Sequence, residues 1–402
     1  MTAGTAPAAL PTPRAAVQAL AEEAVAVRRD LHRHVELSTE ERRTQEVILR
    51  RLRDAGLEDA RPSASTGATA LVQGTLPGPN LLWRADIDGL PLTEDTGLPF
   101  ASENPNAMHA CGHDGHVAIG LALATLVQRS RERLRGTVRF AFQPAEERIG
   151  GARPMIDEGI MRDPPVERVF GLHIFANYRV GDVRVAPGPI FAAATGFRII
   201  IRGRGGHASA PQETNDPIVA AAHVVVALQT VVSRSIDPSQ TAVLTVGRIE
   251  GGVRGNIIPN DVLLVGSIRT FDERVLQRVL ERIDQILVGV TAAFECSYQF
   301  DHSTLPAVVN DPECADLVRR VAGDFLGPER VREARVTGSD DMCFFLQEAP
   351  GAYFMLGGRR RDQEMNYPHH HPKFDFDEAC LPLGIELGVR IIEEASGSSL
   401  AG

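Results

Sequence analysis

Between Pro13 and about His34 apolar residues fall at helical spacing, with proline at the first turn, and a second helical stretch covers about Glu41 to Ala55. From Ala68 to Ala194 the pattern becomes strand, loop, helix. Asn80 to Arg84 reads as a strand ending at Asp86, Gly115 to Gln128 as a helix, and Val138 to Phe142 as a strand ending at Pro144-Ala-Glu-Glu147. Val169 to Leu172 is a further strand, ending at His173. Near-continuous apolar strands alternating with helices predict an α/β fold with a mostly parallel sheet covered by helices on both faces.

From about Thr195 the grammar changes. A strand to Ile201, a helix from Asp216 to Ser233, strands at Thr241 to Ile249 and Val262 to Thr270, a helix from Asp272 to Thr291 and a strand to Phe300 follow in turn. That order, β-α-β-β-α-β, is the split βαβ of ferredoxin-like α+β domains. After Pro306 the α/β alternation resumes with a helix from Pro312 to Phe325, a strand at Ala352 to Leu356 and a helix from about Glu378 to Glu394. The expected organisation is one domain in two parts, 14–190 and 304–395, with the second domain, 191–303, inserted. The small and polar ends, 1–13 and 396–402, are expected to be flexible tails.

A chain of 402 residues suits two domains, and 43% hydrophobic with 23% charged residues is a globular composition. No run approaches the roughly 20 apolar residues of a membrane span, so no membrane is expected as a partner. The net charge of −10 with no basic stripe argues against nucleic acid and anionic lipid and leaves a small-molecule substrate. The first dozen residues lack the charged and apolar regions of a signal peptide, so a cytoplasmic location is expected. Five cysteines, without a C-x-x-C pair, argue against a disulfide framework and a zinc ribbon. Lys373 is the single lysine, which excludes a Walker motif.

The chemistry-bearing residues recur just after the strand-like runs. In an open α/β sheet such loops converge on one crevice, so ligands distant in sequence can share a metal. His109-Ala-Cys-Gly-His-Asp-Gly-His116 offers Cys111 and His113 as ligands at the start of a helix, whose N-terminus, with a nearby cation, favours thiolate. His109 and His116 read as supporting or surface groups. In Gln143-Pro-Ala-Glu-Glu147 the adjacent carboxylates point apart, so one can bind metal while the other moves protons. His173 and the run His369 to His371 add imidazoles. Of Asp86 and Asp88, at least one is expected to orient a ligand histidine, and Asp88 is counted with the catalytic residues. His207, between glycines and Ala208-Ser209, and Arg269 lie in the inserted domain, where an arginine suits a substrate carboxylate.

Seven ordered motifs together resemble the metal-dependent amidohydrolases of the aminoacylase and hippurate hydrolase type, which include hydrolases of auxin-amino acid conjugates. They are Arg84-Ala-Asp-Ile-Asp-Gly-Leu-Pro91, His109 to His116, Gln143 to Glu147, Gly171-Leu-His173, Gly205-Gly-His-Ala-Ser209, Gly255-Asn-Ile-Ile-Pro259 and His370-His-Pro372, within a likeness running from about Arg28 to Ile392. The resemblance implies a zinc-peptidase-like fold with an inserted ferredoxin-like lid that mediates dimerisation, giving a homodimer or a dimer of dimers. It implies two divalent metal ions per subunit (Zn²⁺, Mn²⁺, Co²⁺ or Ni²⁺), bridged by Cys111 and completed by His113, Glu147, His173 and His370, with His371 the other choice for the last ligand. Glu146 would be the general base, and His207 would reach the partner's site to stabilise the oxyanion. Asn256 and Arg269 would help hold an N-acyl or N-aroyl amino acid. One departure is Val35 in His32-Arg-His-Val-Glu36, where the family has proline, which is expected to loosen a turn. The alternatives are a dipeptidase or carboxypeptidase with the same site, a catalytically silent metal-binding dimer, and a thiol hydrolase using Cys111 as nucleophile.

Overall fold

The computed structural model describes residues 10–360 and 366–400. The chain divides into two compact units: one runs to Ile190 and takes in Val309–Ala334 and everything from Asp340; the other is Phe191–Val308 with Arg335–Ser339. The short segment Arg335–Ser339 thus joins the second unit, although it lies in the range expected for the last part of the first.

In the first unit the helices α1 (Ala15–Arg33) and α2 (Arg42–Asp54) precede strands β1 (Arg61–Ser63), β2 (Gly67–Gln73) and β3 (Leu76–Asp86). Then come α3 (His113–Arg129), β4 (Arg135–Gln143), α4 (Ala152–Asp157), β5 (Arg168–Arg179), β6 (Val183–Arg184) and β7 (Gly188–Phe191). Helix α1 begins at Ala15, so Pro13 stands just outside the first turn. The second unit carries β8 (Ala193–Arg202), β9 (Gly206–His207), α5 (Pro217–Ser235), β10 (Ala242–Gly251), β11 (Ile257–Ile258), β12 (Asp261–Thr270), α6 (Glu273–Ala293) and β13 (Ser297–Leu305). Strand β14 (Val308–Asn310) leads back to α7 (Pro312–Leu326), β15 (Val331–Arg332), α8 (Met342–Glu348), β16 (Gly351–Arg359) and α9 (Cys380–Ser396) of the first unit.

The first unit is built on an eight-stranded sheet in the order β1-β2-β4-β3-β5-β16-β6-β15. Its centre, β4-β3-β5-β16, is parallel, and antiparallel pairs lie toward the edges. Leu81 to Asp86 of β3 are buried without alternation, as they must be in a strand covered on both faces. The carboxyl ends of β3, β4 and β16 lead into the segments with Asp88, Glu146–Glu147 and His370, whereas His173, expected at a strand end, lies within β5, which runs on to Arg179. Val35 does not loosen its turn: it is buried and packs on Gly89, where a methyl group would collide with Val35 Cγ2, while Gly89 N–H donates to Glu36 O at 2.9 Å. The expected loose end at Ser396 is also corrected. Ser396 closes α9, and Leu400 is buried, its carbonyl accepting from Ser130 Oγ at 2.8 Å, so an apolar residue near the end holds an otherwise polar segment. Residues 1–9 and 401–402 of the expected tails lie outside the described residues.

In the second unit the order β10-β12-β8-β13 is antiparallel throughout, the ferredoxin-like arrangement. Phe197, Ile199, Ile201, Val262, Leu264 and Ile268 point to one face and meet Val224, Leu228 and Val231 of α5 and Val279, Ile283 and Leu287 of α6. Helix α5 starts sharply because Asp216 accepts the N–H of Ile218 while Pro217 presets the first turn. This helix corrects the expectation about apolar runs: among the described residues it alone is long and apolar enough to cross a membrane by length and composition, with mean hydropathy 1.5. Its apolar side is the lid of this unit's core.

Candidate metal centre

Strand β3 places Asp86 and Asp88 at the bottom of the site, both fully buried. Gly112, in the left-handed region at φ +91°, lets the chain turn into α3 so that His113 begins the helix. His113 Nδ1 donates to the carbonyl of Asp88 at 3.0 Å and faces its Oδ1 at 3.1 Å, which leaves Nε2 as the basic nitrogen. That Nε2 is buried with no hydrogen-bond partner. A ring nitrogen of His113 and carboxylate oxygens of Glu146 and Glu147 lie within 4.8 Å of one another. Cys111 Sγ is 3.4 Å from His173 Nε2, and Cys111, His113 and His173 form a second such group. Cys111, Glu147 and His370 form a third, with His370 Nε2 3.3 Å from Glu147 Oε1.

The three C-terminal histidines have different surroundings. His370 sits at φ +66°, its N–H donating to Ala110 O at 2.9 Å, which brings its ring beside the Cys111 segment. His369 Nε2 donates instead to Ile174 O at 3.0 Å. His371 accepts the N–H of Lys373 at 3.0 Å and stacks on Tyr367. The structure therefore brings together Cys111, His113, Glu147, His173 and His370, with Glu146 and Asp88 against them, and leaves His371 aside.

The electrostatics are anionic. Burial, with Glu147 and Glu146 nearby, pushes the Cys111 thiol well up. Carboxylates surround the sulfur, which disfavours Cys111 as a free nucleophile, while the thiolate expected of a metal ligand rests on a cation beside it. Burial opposes a charged His113, yet Asp86 and Asp88 outweigh it and bring the ring up to about 10. Burial, Asp340 and Glu147 hold the Glu146 carboxyl well above its usual range. A buried cage of carboxylate, thiol and imidazole with an orphaned ring nitrogen is what divalent cations satisfy, so the residues present fit a metal centre.

Sequence reasoning missed part of this centre. Asp340 and Asp341 are buried beside Glu146, and the fully buried Arg84 guanidinium lies 3.1 Å from Asp340 and 3.0 Å from Asp341 while also pairing with Asp86 at 2.6 Å. Asp341 also accepts from Gln143 Nε2 at 2.7 Å and from Ala152 N–H at 3.2 Å, which ties down both ends of the Glu146–Glu147 loop. Glu41 accepts the N–H of Ala145 at 2.8 Å. The one available signal was an acidic pair directly before the apolar Met342 to Leu346.

The second unit carries the other expected residues. Strands β9 and β11 pair His207 with Ile257, and Ala208 N–H donates to Asn256 O at 3.2 Å, so His207 and Asn256 share one small ladder. His207 Nδ1 accepts the N–H of Ser209 at 3.1 Å and faces Ser209 Oγ at 2.8 Å, which leaves the ring proton on the exposed Nε2. Arg269 is half-buried and donates to Ser339 Oγ at 2.9 Å.

Comparison with known proteins agrees with this geometry. Residues 82–394 match the model of peptidase family M20/M25/M40. The chain is 38% identical over 366 residues to thermostable carboxypeptidase 1 of Saccharolobus solfataricus, covering 90% of this chain and 92% of that one. It is also 38% identical over 363 residues to N-acetyl-L-cysteine deacetylase of Bacillus subtilis, covering 90% and 85%. A dinuclear metal binding peptidase of Bacillus subtilis has the same fold, with a TM-score of 0.82 at 31% identity over 95% of this chain and all of that one. A mostly parallel α/β sheet with groups beside it that could hold a metal, and likeness over nine-tenths of the chain, make this protein a member of peptidase family M20/M25/M40 and a metal-dependent hydrolase.

Proposed function

We propose that this amidohydrolase cleaves the amide bond of N-acyl or N-aroyl amino acids, with Glu146 as general base. The observation that carries the reading is the group of Cys111, His113 and His173, all buried, with the half-buried Glu147 and the exposed His370, and a second, adjacent carboxylate beside it. Two divalent cations (Zn²⁺, Mn²⁺, Co²⁺ or Ni²⁺) held by those five residues would polarise the amide carbonyl and acidify the attacking water. Glu146 takes a proton from that water as its oxygen bonds to the carbonyl carbon, then passes it to the departing nitrogen as the C–N bond breaks. The products are a carboxylate and a free amino acid. Asp88 holds His113 and the backbone of Glu147 in place. His207, through its Nε2–H, stabilises the oxyanion in the partner's site of a homodimer, or of a dimer of dimers, while Asn256 and Arg269 hold the substrate, the arginine by its carboxylate. Exposed apolar residues on the helices of the second unit, Ile218, Val219, Val226 and Val288, support self-association there. Five free cysteines support a cytoplasmic location.

The deacetylase of Bacillus subtilis supports N-acyl amino acids as substrates, and the carboxypeptidase of Saccharolobus solfataricus supports a peptidase reading with the same centre. Release of free amino acid from N-acetyl amino acids, N-benzoyl amino acids and dipeptides separates them. Cleavage of the acyl amino acids with little turnover of dipeptides is expected; cleavage of dipeptides alone would overturn the acylase reading in favour of the peptidase.

A further inference from the structure

Strand β5 runs past the end of its neighbour β3, whose last partner on it is Gly171, opposite Arg84. On β5 alternate residues turn both backbone groups to the same side. Val169 donates to Pro350 on the β16 side, so Ile174, five residues on, turns its N–H and C=O to the side where β3 has ended. Both groups are buried, and both must find partners without a strand. Three histidines supply them. The N–H of Ile174 donates to His116 Nε2 at 2.8 Å, and its carbonyl accepts from His173 Nδ1 at 2.9 Å and from His369 Nε2 at 3.0 Å.

Both other imidazoles pack against the ring of His173. The His116 ring centroid is 4.7 Å from that of His173 and the His369 centroid 5.3 Å, both edge-to-face. Because a backbone N–H can only donate, His116 Nε2 accepts and its proton sits on Nδ1, bound to Asp86, which in turn pairs with Arg84. Because a carbonyl can only accept, His173 carries its proton on Nδ1, and its Nε2 lone pair faces Cys111 Sγ. The orientation of His173 thus depends on where the Ile174 carbonyl lies.

We propose that His116 and His369 are positioning residues for His173: they clasp the Ile174 peptide groups and pack against the ring, and so aim Nε2 at the metal centre. This rests on the reading of His173 as a metal ligand. Neither residue is a ligand itself; the usual single partner behind a metal histidine is here a carbonyl that other imidazoles hold in place.

The test is metal titration of the full-length, metal-stripped protein with Co²⁺, following the thiolate-to-metal absorption, alongside thermal unfolding. His116→Ala and His369→Ala are expected to weaken one of the two metal sites by about 10–100-fold and to shift its absorption, leaving the other site intact. His369→Gln keeps an N–H for Ile174 and is expected to bind close to wild type, whereas His369→Met keeps the bulk and is expected to bind as weakly as alanine. That pair decides the matter if an alanine variant does not fold. Wild-type affinity and spectrum in His369→Met and His116→Ala, with one site lost in His173→Ala, would overturn the clasp and leave the ligand reading intact. Both sites intact in His173→Ala would overturn the ligand reading, and the clasp with it.

Discussion

Asp88 holds His113 and, through its other oxygen, the Glu146–Glu147 loop. Oδ1 is 3.1 Å from His113 Nδ1, while Oδ2 accepts the N–H of Glu147 at 3.0 Å and Ser38 Oγ at 2.6 Å. Burial opposes this charge, yet His113 and Ser38 hold the carboxyl below its usual range. Asp88→Asn puts an amide where three donors converge. It is expected to lower metal affinity about 10–100-fold and to lower kcat with it, measured by metal titration and steady-state kinetics.

Glu146→Gln separates proton transfer from metal binding. The amide keeps the size of the side chain but cannot take a proton, so kcat is expected to fall about 10²–10⁴-fold with both metals retained. Near-normal turnover with full metal content would remove Glu146 from its role.

The exposed Nε2–H of His207 gives a different signature. His207→Ala is expected to cost about 10²–10³-fold in kcat with little change in KM, because the donor acts on charge that develops only in the transition state. A change in KM alone would make His207 a substrate-binding residue instead.

A pH dependence of stability follows from His32. The ring is fully buried; burial opposes its charge, but Asp114 at 2.8 Å and Glu94 at 3.3 Å outweigh it and raise its pKa above 6.5. A raised pKa means the folded state holds the proton more tightly. The stabilisation is then complete below about pH 6.5 and is lost as pH rises through the folded value. Wild type and His32→Gln are therefore expected to differ most in melting temperature at pH 6 and below, and to converge as pH rises. A difference that grows with pH would contradict the assignment.

Much of the fold was legible because its signals are local. Strands such as Leu81 to Arg84 and Val138 to Phe142 announce burial on both faces, and the β-α-β-β-α-β order needs only the sequence of elements. The groups of the site were legible where glycine, histidine and acidic residues crowd one loop. What was not legible depends on long-range packing. Nothing near Asp340 and Asp341 says that they will meet Arg84, some 250 residues upstream, or strap the loop of Glu146. The work of His116 and His369 appears only when β5 outruns β3, a matter of register between strands. Leu400, in a polar tail, finds a buried seat beside Ser130 that local composition does not reveal. The apolar length of α5 read as unremarkable until its one-sided packing explained it.

The central claim is that hydrolysis depends on metals held by Cys111, His113, Glu147, His173 and His370. The most direct measurement adds a divalent metal stepwise to the stripped protein while following both bound metal and release of amino acid from an N-acyl amino acid that the loaded enzyme cleaves. The account predicts two metals bound per chain, with no turnover before binding and full turnover at saturation, and loss of both in Cys111→Ser. Turnover that persists after verified metal removal, or Cys111→Ser that binds two metals as wild type yet is inert, would contradict it.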